Sequence, residues 1–70
     1  MESKREKFKR LAENRTNKII KMIELLSNCS NTSNYEYTNE DVKVIFNAIE
    51  EATKEAKLKF TAKKDKKITL

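Results

Sequence analysis

Neither glycine nor proline occurs anywhere in the seventy residues, and this double absence constrains the fold more than anything else in the chain. Tight hairpin turns of β-sheets use glycine where φ must be positive, and proline breaks helices. A chain without either residue lacks the usual turn formers and has nothing to interrupt a helix, so the expectation is all-α. Helices then have to begin and end on caps supplied by Ser, Thr, Asn and Asp.

Such caps are present. Ser3-Lys4-Arg5-Glu6 has capping-box spacing, in which the hydroxyl and the carboxylate satisfy free amides of the first turn. Phe8, Leu11, Ala12, Ile19, Met22, Ile23 and Leu26 follow at the three-and-four spacing of one helical face. This predicts a helix over 4–27, ending near Ser27 or Asn28, where Asn can take the left-handed conformation in place of glycine. Thr38 or Asn39 starts a second helix, predicted over 39–62, with Glu40 and Asp41 at the favourable end of its dipole. Its face is Val42, Ile45, Phe46, Ile49, Ala52, Ala56 and Phe60. A loop over 28–38 and a basic tail over 63–70 complete one domain.

Two helices of similar length joined by a short loop suit an antiparallel pair. Facing Leu26 with Val42, Ile23 with Ile45, Met22 with Phe46, Ile19 with Ile49, Ala12 with Ala56 and Phe8 with Phe60 uses one constant register, and every match is apolar. The expected architecture is therefore an antiparallel two-helix hairpin. One seam buries little in a chain this short, and Val44, Ala48, Leu58 and Ala62 form a weak second stripe. Dimerisation into a four-helix bundle, or docking on a larger partner, would cover it. A homo-oligomer is the first expectation.

Arg15 interrupts the apolar face of the first helix. Its stem can lie along the alanines while the guanidinium reaches Glu51 or Glu55, or the guanidinium can serve an outside anion or acidic partner. The loop holds both tyrosines and the single cysteine. Tyr35 and Tyr37 can fold over the open end of the seam, or Asn34, Tyr35 and Tyr37 can present aromatic anchors with adaptable amides.

The formal charge of +5 is unevenly spread. Residues 1–18 carry seven Lys/Arg against three Glu, residues 54–70 seven Lys against Glu55 and Asp65, and the stretch between them is net acidic. In a hairpin, Lys4, Arg5, Lys9, Arg10, Lys57, Lys63, Lys64, Lys66 and Lys67 would meet at a basic pole able to neutralise phosphates. The pole points to a nucleic-acid partner. The alternative is a protein-interaction module that uses Arg15, Asn34, Tyr35, Tyr37, Val44 and Leu58, with an acidic protein as partner.

Catalysis finds little support. The chain has no histidine, and a lone Cys29 without histidine is an unpromising nucleophile or zinc ligand. A chain without glycine cannot build a Gly-rich phosphate loop. The expectation is a non-enzymatic protein with no cofactor, no metal and no small-molecule substrate. No apolar run approaches the ~20 residues that span a bilayer, and the start lacks a signal-peptide pattern. Both point to a cytoplasmic protein without membrane contact.

The segments FKRLAENRTNK and SNYEYTNEDVKVIFNAIEEATKEAKLKF resemble a family of short uncharacterised proteins carried on bacterial plasmids and other mobile elements. The similarity spans residues 5–60 and leaves the lysine-rich tail outside. It implies the same order of helix, Asn/Ser loop, SNYEYT and acid-capped second helix, and implies no activity.

Overall fold

The computed structural model describes residues 1–61. The basic tail, Ala62 and the candidates Lys63, Lys64, Lys66 and Lys67 lie outside the described residues. The fold among the described residues is two α-helices without strands, and it divides into two units. Met1–Glu36 holds α1 (Lys4–Ser27) and a 3-10 turn (Asn28–Ser30); the second unit, from Tyr37 onward, holds α2 (Asn39–Thr61).

Both helices start on reciprocal caps. The Glu6 amide donates to Ser3 Oγ at 3.1 Å and the Ser3 amide to Glu6 Oε1 at 3.2 Å, while the Lys7 amide donates to the Ser3 carbonyl at 2.9 Å. At α2 the Asp41 amide donates to Thr38 Oγ1 at 3.1 Å and the Thr38 amide to Asp41 Oδ2 at 2.9 Å. Thr38 is therefore the cap of α2, and Asp41 fills the position that a glutamate usually takes in a capping box. Replacing either capping side chain with alanine is expected to cost its helix ~1 kcal/mol. Far-UV circular dichroism of Ser3→Ala and Thr38→Ala checks this, with a loss of helical signal as the expected result.

The end of α1 differs from the left-handed cap expected at Asn28. Asn28 has φ −66° and ψ −19°, and no described residue has positive φ. The chain instead tightens from α-helix into the 3-10 turn, so the Asn28 amide reaches the Leu25 carbonyl. Such a turn supplies donors to the last carbonyls of a helix without a left-handed residue.

Asn31 organises the turn that comes next. Its Oδ1 accepts from the Ser33 amide at 3.0 Å, and its carbonyl accepts from the amides of Asn34 and Tyr35 at 3.1 and 3.0 Å. This side-chain mimic of a backbone turn bends the chain without glycine. It also fixes the backbone of Asn34 and Tyr35, two candidate contact residues.

No described residue is buried. Leu11, Ala12, Leu26 and Ile49 are partly covered, and all other described residues are exposed. The apolar faces of α1 and α2 are thus intact as patterns and open as surfaces.

Candidate interaction surfaces

The periodicity places Phe8, Ile19, Met22, Ile23 and Leu26 along one side of α1. Ile19 is 59% exposed and Met22 63%. Those values are far above what a core position tolerates. On α2 the corresponding side carries Val42, Ile45, Phe46, Ile49 and Phe60, with Phe46 44% and Phe60 65% exposed. Thr53 falls on this side as well. Its hydroxyl donates to the Ile49 carbonyl at 2.9 Å, which satisfies the polar group within the helix and leaves the methyl to the apolar surface. Contiguous apolar surface of this kind marks sites of protein or membrane contact.

The proposed contact residues divide between the two units. Arg15, Asn34 and Tyr35 belong to the first, and Tyr37, Val44 and Leu58 to the second. Tyr35 is 53% exposed, while Val44 and Leu58 are exposed on α2. Tyr37 is exposed too, although it is not without a partner. Cys29, in the 3-10 turn, is an exposed free thiol.

The basic candidates in the first turns of α1 do not form one patch. With 3.6 residues per turn, Arg5 and Lys9 share one side, Lys4 lies about a quarter-turn away from Arg5, and Arg10 occupies a third. Arg10 is also committed: its Nε and Nη2 donate to the two carboxylate oxygens of Glu2 at 2.8 and 3.0 Å. This bidentate pair is the one ion pair among the described residues. The Arg5 guanidinium sits 5.9 Å from the centroid of the Phe8 ring, within reach of a cation–π attraction. Lys57, on α2, is the sole described member of the set from the second unit.

The Glu2 carboxyl is held below its ordinary value by the Arg10 hydrogen bond, and the Arg10 guanidinium is raised by the same contact. The Glu6 carboxyl is lowered first by the Ser3 amide and then by the Ser3 hydroxyl. A carboxyl lowered in the folded state stabilises α1 at pH values above its unfolded pKa. That contribution is lost as pH falls through the lowered value. Helical signal is therefore expected to hold from neutrality down to about pH 5 and to decline below about pH 4, with part of the decline missing in Glu6→Gln.

Among the described residues no three His, Cys, Asp or Glu side chains come together as a metal site, and no helix is long and apolar enough to cross a membrane. No protein-family model, curated protein or solved structure matches the chain.

Sequence alone did not single out Asn31 or the Arg10–Glu2 pair. Asn31 was legible in retrospect from the Asn-x-Ser spacing of an Asx turn. The pair spans eight residues and depends on Glu2 reaching back from outside the helix, so helical spacing alone does not suggest it.

Proposed function

We propose that the chain is a small non-enzymatic protein-interaction module whose apolar helix faces are completed by a protein partner. The observation that supports this reading is the exposure of both apolar faces, from Phe8 to Leu26 and from Val42 to Phe60, in a chain with no buried residue among those described. In the proposal, α1 and α2 close in the antiparallel register when they dock. A single two-helix seam is too small to hold itself together firmly, so the partner supplies the second surface. An accessory subunit or inhibitor encoded by a mobile element would fit this description. A second copy of the chain could supply the same surface.

Nucleic-acid binding is the other reading, supported by exposed cations such as Lys4 and Lys9 that form no ion pair among the described residues. It explains the charge and leaves the apolar faces without a use. Affinity capture of the tagged chain from the lysate of its host, with and without nuclease, separates the two. A defined protein retained in stoichiometric amount after nuclease supports the interaction module. Co-purifying material that disappears with nuclease supports the nucleic-acid reading.

A further inference from the structure

The charges of α1 are sorted with respect to its apolar stripe. Helical spacing places Lys4, Lys7 and Lys18 along one border, Arg5 and Lys9 along the other, and Arg15 in the middle. The acids of the helix, Glu6, Glu13 and Glu24, stand seven and eleven residues apart and therefore share the opposite side. The apolar half of α1 thus holds no acid, with cations on both flanks over its first turns and on the Lys18 flank beyond them.

Most of these cations have no acid within helical reach; Lys9 alone has two, Glu6 and Glu13, and pairs with neither among the described residues. Lys4, Lys7, Arg15 and Lys18 have no acid three or four positions away along α1, the separations at which helical ion pairs form. Arg10–Glu2 is the one ion pair among the described residues, and it involves none of the six. Arg5 leans on Phe8 instead. Helix α2 does not offer the complement either. Its apolar stripe is bordered by Asp41, Glu50 and Glu55 but also by Lys43, Lys57 and Lys59, so α2 of this chain or of a second copy brings no net negative charge. A second α1 would repel.

We propose, resting on the interaction-module reading, that the apolar face of α1 receives an amphipathic helix of a different protein, with Asp and Glu along the borders of its own apolar stripe and a carboxylate facing Arg15. A helix in a bundle meets one neighbour across each border of its stripe. Whichever border α2 takes, the other is also cationic, so the demand for an acidic neighbour is independent of the hand of the pair. Opposed potentials steer such partners together and fix their register. Anionic lipid suits the complex less well, because Arg15 lies in the part of the stripe that would sink deepest. Phosphates suit it less well too, since they have no use for Phe8, Ile19 and Met22 between the cations.

The test uses two synthetic amphipathic peptides of the length of α1 with identical Leu/Ile stripes, one bordered by Glu and the other by Lys. Binding to the full chain is followed by fluorescence anisotropy. The Glu-bordered peptide is expected to bind at least tenfold more tightly than the Lys-bordered one. Raising the salt from low to moderate concentration should weaken it, and so should Arg15→Gln. Lys18→Glu on one border and Lys9→Gln on the other are compared, and the change on the border away from α2 should weaken binding without loss of helical signal, which guards against a folding defect in the Arg15 variant. Equal affinity for the two peptides overturns the acidic-partner inference and leaves the interaction module standing. No binding of either peptide, or flotation of the chain with phosphatidylserine vesicles while both peptides are ignored, also overturns it. The module itself is then decided by the nuclease-split capture.

Discussion

Ile19→Asp is expected to abolish capture of the protein partner. The side chain lies in the middle of the α1 stripe and is exposed in the chain alone, so it is available to be covered. Burying an isoleucine contributes ~2 kcal/mol, and an unpaired carboxylate in its place would be penalised further on desolvation. A loss of ~3 kcal/mol corresponds to more than a hundredfold in affinity. The control is Lys57→Gln on α2, which removes one of the proposed phosphate contacts and should leave the protein complex nearly unchanged. If instead Ile19→Asp retains its partner and Lys57→Gln loses it, the apolar face is not the working surface. Quantitative capture with both variants, at equal bait and matched helical content, reads this directly.

The second large effect concerns the chain by itself. Without a buried core among the described residues, the helices rest on their caps and on local interactions, and they lack the tertiary packing of an amphipathic face from which most helical stability in proteins comes. Urea unfolding followed by circular dichroism is expected to be broad, with a slope below about 1 kcal/mol/M, because little surface remains to be exposed. Addition of the partner should convert it into a sharper transition at higher urea, since a ligand that binds only the folded state stabilises it. A steep transition in the chain alone at low micromolar concentration would mean that the faces are already covered.

Much of the fold was legible because helix starts are local chemistry. Ser3 with Glu6 can be read from spacing alone, as can the apolar three-and-four pattern of each helix, whereas the choice between Thr38 and Asn39 as the second cap is decided by the pairing of Thr38 with Asp41. The end of α1 was less legible. The choice between a left-handed cap and a 3-10 turn at Asn28 depends on the residues downstream, here the Asn31 turn that takes up the amides of Ser33, Asn34 and Tyr35. The basic pole illustrates the other limit. It rests on a hairpin bringing both ends together, and four of its nine members, Lys63, Lys64, Lys66 and Lys67, lie outside the described residues, while among those described Arg10 is committed to Glu2. The charge pattern that is organised, cations beside the apolar stripe and acids behind it, emerges only when charge and hydrophobicity are read on the same helical surface.

Amide hydrogen exchange of the full chain, first alone and then in its captured complex, reads whether the apolar faces are open until a partner covers them. Rapid exchange is expected throughout both helices in the isolated chain, with marked slowing across residues 8–26 and 42–60 in the complex. Slow exchange in the isolated chain at low concentration, unchanged by the partner, would contradict it, because the apolar faces would then be buried within the chain and unavailable to a partner.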